Sequence, residues 1–262
     1  MKKTSFSCLW LWPRLALVSL SLAAIGMLPT RGQQIVAEAD AAGPVVTVVR
    51  VPALGAIRGQ IEAGMKKSVP TYQQAPGLIR KYFTISDDGQ SFGGIYLWES
   101  RKAAESWFTE SSVWHDGVSK RNGQSAEITY FRVPMQVDNQ LLHGTTVVAA
   151  TGDTTGDTLA SSPVATVVLL PAVAGRNRAE IEAAMRKAVP TYDNLSGLVR
   201  KYFIISDDLG YGGIYLWQNK KVAEAWFNDS AVWSAGVSKS VGTRADITFF
   251  SVPLIVNNTE QK

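Results

Sequence analysis

Lys81 and Lys201 occupy matching strings, Arg80-Lys81-Tyr82-Phe83 and Arg200-Lys201-Tyr202-Phe203. Each string reads as part of a β-strand, in which consecutive side chains point to opposite faces. One cation of each Arg-Lys pair must therefore enter a covered side of the sheet, and a buried cation needs a partner or a ligand. It could be a structural ion pair, or a stem that carries its charge out to water. It could also be a fixed positive group that stabilises an oxyanion or enolate of a bound molecule.

Aromatic residues surround these strings and recur with them. The tryptophans pair as Trp98/Trp217, Trp107/Trp226 and Trp114/Trp233. Such side chains fill cores and also line ligand pockets. Trp107 precedes Phe108 on an apolar helical face and reads as core. Trp98, Trp114, Trp217 and Trp233 lie near the ends of elements and are the better pocket candidates. Tyr72 and Tyr192 close the first helix of each repeat and could donate hydrogen bonds into the same space. Tyr82 and Tyr202, beside the lysines, complete the expected substrate-binding set.

Other chemistry is thinly represented. His115 is the one histidine inside a repeat, and its counterpart is Ser234. As a general base it could serve the first repeat alone. His143 falls between the repeats, so no two histidines have metal-ligand spacing, and neither a metal nor another cofactor is expected. The pairs Asp87-Asp88 and Asp207-Asp208 read as turns, with calcium a remote alternative. Gly93-Gly94 and Gly212-Gly213 lack the Lys-Ser/Thr of a phosphate cradle. They read instead as a bulge or a close approach of backbone within a strand.

The elements that would position these residues follow from pattern. Val45 to Val51 is a β-branched run. Ile57, Ile61, Met65 and Val69 recur every four residues on one helical face, which Pro70 ends or bends. Leu78 to Ser86 is a strand, and Asp87-Asp88-Gly89 turns it back as a hairpin with Phe92 to Trp98. Ser100 can cap a second helix carrying Ala103, Ala104, Trp107 and Phe108. Glu127 to Val133 is a last strand. The order is β-α-β-β-α-β, an α+β unit with helices on one face of an antiparallel sheet. The strands are apolar on both faces, as when both faces are buried, so the second face should be covered by the other repeat.

The repeat itself is plain. Val69-Pro70-Thr71-Tyr72 returns as Val189-Pro190-Thr191-Tyr192, and Gly93-Gly94-Ile95-Tyr96-Leu97-Trp98 as Gly212-Gly213-Ile214-Tyr215-Leu216-Trp217. Roughly 60% of positions match between residues 61–120 and 181–239. The expected boundaries are a first domain at 44–138, a Thr/Gly/Asp/Ser-rich linker at 139–163 and a second domain at 164–258.

Composition sets the compartment. Lys2, Lys3 and Arg14 precede an apolar run from Leu15 to Leu28, and Ala37-Glu38-Ala39 offers a small-residue cut site. That order is that of a secretory signal peptide over residues 1–39, and the run is short of a membrane span. Its removal takes four basic residues and one acid from a chain of net charge +4. The near-neutral remainder argues against a nucleic-acid surface. Cys8, the one cysteine, leaves with it, so no thiolate chemistry is expected. The expected location is periplasmic or secreted, with no membrane association after cleavage.

The Gly93–Trp98 string, preceded by the strand Gly77-Leu78-Ile79-Arg80-Lys81, resembles the YdhR-like mono-oxygenases. These are a branch of the dimeric α+β barrel superfamily that also holds the antibiotic-biosynthesis mono-oxygenases. The likeness covers nearly all of each repeat. It implies two ferredoxin-like βαββαβ units joining their sheets in a barrel, here as an intramolecular pseudo-dimer, with a cavity between the sheet and helices of each unit. It further implies a cofactor-independent mono-oxygenase acting on an aromatic or polyketide-like small molecule in an apolar pocket, the substrate itself reducing oxygen. The family strand carries a lysine at the matching place, which favours Lys81 and Lys201 as catalytic groups, beside the candidate base His115 read from the residues above. The export signal and the duplication depart from a small cytoplasmic member. A non-catalytic periplasmic module that holds a small apolar ligand, or a stress-associated one, is the alternative, favoured by the unrepeated histidine and the missing nucleophile.

Overall fold

The computed structural model describes residues 43–111, 114, 126–139, 162–230, 233 and 245–258. In the first half the elements are β1 (Val45–Pro52), α1 (Arg58–Gln73), β2 (Leu78–Ser86), β3 (Ser91–Trp98), α2 (Arg101–Glu110) and β4 (Glu127–Asp138). The second half repeats them as β5 (Val164–Leu170), α3 (Arg178–Tyr192), β6 (Leu198–Ile205), β7 (Tyr211–Trp217), α4 (Lys220–Asp229) and β8 (Asp246–Asn257). Residues 1–39 and Cys8, His115, His143 and most of the linker lie outside the described residues. Among the described residues no helix is long and apolar enough to cross a membrane.

Within the first half the sheet runs β4-β1-β3-β2, all antiparallel. The halves then join through two more antiparallel pairs, β2 with β8 and β4 with β6, closing an eight-stranded barrel. This is the α+β architecture of two ferredoxin-like units in one chain. Three cores result. One fills the barrel between the halves, with Val46, Ile95, Leu97, Ile204, Leu216 and Val252 among its members. The other two lie outside the barrel, each beneath the helices of its own half. The doubly apolar strands are explained by this: one face meets the opposite half, the other meets helices.

Two features depart from the sequence reading. Helix α1 does not end at Pro70 but runs through it to Gln73, and α3 likewise contains Pro190. A proline in a helix interior removes the donor to the carbonyl four residues back, while the carbonyls at the helix end beyond it are caught from outside. Asn258 Nδ2, just past β8, donates to the carbonyls of Tyr72 and Leu78, both at 2.9 Å. Asn139, just past β4, does the same to Tyr192 and Leu198 at 2.9 and 3.1 Å. The second departure is the length of the last strands. β4 continues five residues beyond Val133, and Met135, Gln136, Val137 and Asp138 pair with β6 of the other half. The register slips between Arg132 and Met135, around Pro134, because proline cannot donate to a ladder and sits at such irregularities.

Candidate functional site

Strand β2 divides its polar residues between the two sides of the barrel wall. Lys81 faces the helices. Its Nζ lies 3.1 Å from the ring centre of Tyr72, 3.9 Å from Phe83 and 4.4 Å from Tyr96. Lys201 is held by Tyr192, Phe203 and Tyr215 at 3.1, 4.0 and 4.5 Å. The two lysines are 2% and 3% exposed, and among the described residues no carboxylate pairs with either.

Each part of this cradle has a structural source. Tyr96 stands opposite Lys81 in the β2–β3 register. Tyr72 comes from the last turn of α1. Gly94 is needed for space: a Cβ there would lie 2.9 Å from the Tyr96 ring and 3.0 Å from Lys81 Cε. At Gly213 the same distances, to Tyr215 and Lys201, recur. Gly93 answers to a different neighbour, since its Cβ would fall 2.0 Å from the Val49 carbonyl oxygen. The Gly-Gly pair is thus a close approach of backbone at its first member and a mould for the lysine stem at its second.

The electrostatics follow from burial. Removing an unpaired ammonium from water costs on the order of several kcal/mol. Ring faces return about 2 kcal/mol when desolvated. Burial wins, and it holds both lysines well below the ordinary lysine pKa. Burial also raises the phenols of Tyr72, Tyr96, Tyr192 and Tyr215. The cradle therefore favours uncharged groups until something brings a countercharge.

A further donor borders it. Trp107 packs on Tyr72 with ring centres 5.7 Å apart, and its Nε1 is buried with no hydrogen-bond partner. Trp226 repeats this against Tyr192 at 5.8 Å. Trp107 and Trp226 read as plain core in the sequence, where only an unmatched indole N–H, invisible to pattern, sets them apart. Trp98 and Trp217 also reach the cradle, each stacked on the neighbouring tyrosine, but their N–H groups are spent on Thr47 and Thr166 at 3.0 Å. Trp114 and Trp233 lie one ring further out, edge-on to Phe108 and Phe227 at 4.8 Å.

Tyr82 and Tyr202 are on the other side of the wall. They point into the barrel with Arg80 and Arg200, away from the lysines. Asp88 ties its own turn, accepting from Ser86 Oγ at 2.6 Å and Gln90 N at 2.9 Å. Asp87 and Asp207 instead join the halves, to Lys220 at 2.7 Å and Arg101 at 2.9 Å. Among the described residues no three His, Cys, Asp or Glu side chains gather as metal ligands. The space beneath the helices, expected as an apolar hollow, is filled around the lysines by the rings just named. A cleft of about 370 Å³ lies elsewhere, at the seam of the halves, lined by Arg58, Asp87, Lys220, Glu224 and Phe250 among others.

Comparison with known proteins agrees with this architecture. Residues 47–137 match the family model described as "Putative mono-oxygenase ydhR". A solved structure described as a putative monooxygenase, from Fusobacterium nucleatum, superposes with a TM-score of 0.62 at 10% identity, covering 82% of this chain and 95% of that one. An anthrone oxidase-like protein gives 0.53 at 11% identity, covering 86% and 97%. A putative monooxygenase from Lactobacillus acidophilus gives 0.50 at 9%, covering 82% and 97%. At such identities the likeness is one of fold. No curated protein matches the chain.

Proposed function

We propose that this chain, whose first repeat belongs to the ydhR family of mono-oxygenases and whose second is a copy of it, is a cofactor-independent mono-oxygenase with one site beneath the helices of each half. The substrate is an aromatic or polyketide-like small molecule. The observation that carries the reading is the lysine cradle: a buried amine with no carboxylate partner among the described residues, beneath a tyrosine that also packs on a tryptophan with an unpaired buried N–H, present twice. Buried donors without acceptors are uncommon unless a ligand completes them. Lys81 and Lys201 stabilise the oxyanion or enolate of the substrate, the electron-rich form that hands electrons to oxygen. The rings that fill the space around each lysine have to part to admit a flat substrate, for which they then supply an apolar wall.

The chain acts outside the cytoplasm once residues 1–39 are removed. The mass of the protein recovered from fractionated cells tests this.

Oxygen uptake with a panel of anthrones tests the activity, comparing wild type with Lys81→Ala/Lys201→Ala. Turnover in the wild type that vanishes in the variant, while ligand still binds, is the expected result. Binding without turnover across the panel would instead make the chain a non-catalytic small-ligand module and overturn the enzymatic reading.

A further inference from the structure

The barrel closes through two seams built from the same positions of opposite repeats, so each seam serves as a control for the other. The cleft of about 370 Å³ lies at one of them, where Arg58 and the turn after β2 face β5, β8 and the start of α4. The matching positions at the second seam are Arg178, the turn after β6, β1, β4 and the start of α2. Of the ten residues that line the cleft, seven have an identical counterpart there and three do not. Ser251 stands in the place of Arg132: Ser251 pairs with Val164 as Arg132 pairs with Val45. Phe249 stands in the place of Tyr130, and Lys220 in that of Arg101. Each replacement shortens the side chain or removes a polar group. The largest, arginine to serine, frees the room of a whole guanidinium arm.

The replacements also free an aromatic face. At the second seam the Arg101 guanidinium lies 4.4 Å from the Tyr130 ring centre while it holds Asp207 at 2.9 Å. At the cleft Lys220 is drawn to Asp87 at 2.7 Å, and among the described residues no cation stacks on Phe249. Phe249 is half-buried and edge-on to Phe227 at 6.1 Å, so part of its ring borders the cleft. A ring face left open takes another ring in an offset or edge-on contact.

The charges in the wall set the sign of the occupant. Asp87 and Glu224 share Lys220, at 2.7 and 3.8 Å. Arg58 gives Nε to Glu62 at 2.7 Å and Nη1 to Ser251 Oγ at 3.2 Å, and a guanidinium has further N–H groups to give. Lys221 has no carboxylate partner among the described residues. The uncommitted charge is thus a single positive one. A monoanion meets it without breaking a pair, whereas a dianion also meets the field of Asp87 and Glu224.

We propose that this seam cleft is a binding site for a small aromatic monocarboxylate, one per chain, with its ring on Phe249 and its carboxylate on Lys221 and Arg58. The volume suits a small molecule. The inference is independent of the chemistry proposed for the lysine cradles, which lie beneath the helices and number two. Arg58 belongs to the first half and Phe249 and Lys221 to the second, so the ligand ties the halves together and stabilises the closed barrel.

The test titrates 2-naphthoate into the full chain at neutral pH by isothermal titration calorimetry. One equivalent should bind and raise the melting temperature. The uncharged 2-naphthamide should bind about threefold more weakly, and Lys221→Ala should weaken 2-naphthoate by a similar factor. Inorganic phosphate should not displace it. Ser251→Arg rebuilds the side chain that the second seam already carries, so the barrel should accept it. It adds a cation yet fills the cleft, and it should lower the affinity by about tenfold or more. No binding, two equivalents per chain, displacement by phosphate, or unchanged or tighter binding in Ser251→Arg would overturn the proposal. If Ser251→Arg does not fold, the wild type decides: nuclear Overhauser contacts between the naphthyl protons and the Phe249 ring are expected, and their absence from the bound complex overturns it alone.

Discussion

The hydroxyl of Tyr82 lies 3.1 Å from the hydroxyl of Tyr202, so equivalent residues of the two repeats meet each other inside the barrel. Each oxygen also accepts from the arginine of the other repeat: Arg80 Nη1 reaches Tyr202 Oη at 2.9 Å, and Arg200 Nη1 reaches Tyr82 Oη at 3.1 Å. Tyr82→Phe or Tyr202→Phe leaves a buried guanidinium short of an acceptor. We expect each to lower stability by about 1–3 kcal/mol. The double variant should lose less than the sum, since both sit in one network. Urea unfolding of the two singles and the double measures this.

This network also shows what a sequence conceals. Tyr82 and Tyr202 read as ligand-binding because they adjoin the lysines. Alternation along β2 and β6 instead sends them through the wall, and which face belonged to the barrel depended on how the halves join. The repeat, the hairpins and the Ser100 cap were legible because they are local. Ser100 Oγ indeed accepts from Ala103 N at 3.2 Å. The extensions of β4 and β8 were not, because Met135 to Asp138 find their partners about 65 residues away, on β6. Lys81 was legible as a buried cation. Its lack of a carboxylate was not, because that is a property of the assembled cradle.

The seam is not symmetric. Arg200 Nη2 pairs with Asp138 at 2.5 Å, whereas Arg80 Nε takes the amide oxygen of Asn257. Asp138→Asn should cost about 2 kcal/mol, less than a fully buried pair, because the aspartate is 24% exposed. Asn257→Asp supplies the missing charge, but at a buried site where desolvation offsets the attraction, so stability should change by no more than about 1 kcal/mol. Thermal melts check both, and neither change should depend strongly on salt, since the arginines are buried.

The lysines make stability depend on pH. Their folded-state pKa is lowered, so between that value and the unfolded value the unfolded chain binds more protons. Stability then rises with pH through that window, and the penalty is gone above the unfolded lysine pKa of about 10.4. Each lysine contributes a slope of at most about 1.4 kcal/mol per pH unit. Wild type should gain on Lys81→Met/Lys201→Met as pH climbs from about 7 toward 10. The comparison is made below the range where the raised tyrosines begin to pull the other way. Equal slopes for the two proteins would contradict it.

The adjacent glycines should fail differently. Gly94→Ala presses a methyl on the Tyr96 ring and Lys81 stem, side chains that can shift, and to 3.0 Å from the Tyr82 carbonyl, a milder backbone contact than at Gly93, and we expect a loss of about 1–3 kcal/mol. Gly93→Ala drives the same methyl onto the Val49 carbonyl, which is backbone in a paired strand. We expect a loss above about 4 kcal/mol, seen as little or no folded protein in circular dichroism and expression yield.

Closure of the barrel has a consequence for how this molecule meets others. Every described strand has a neighbour on both sides, so among the described residues no row of open N–H and C=O groups is left for a passing chain to pair with. Growth by strand addition, whether into a functional polymer or into amyloid, would first require β2 to let go of β8 or β4 of β6. The arms that knit the two halves together thereby also insulate the folded protein from aggregation.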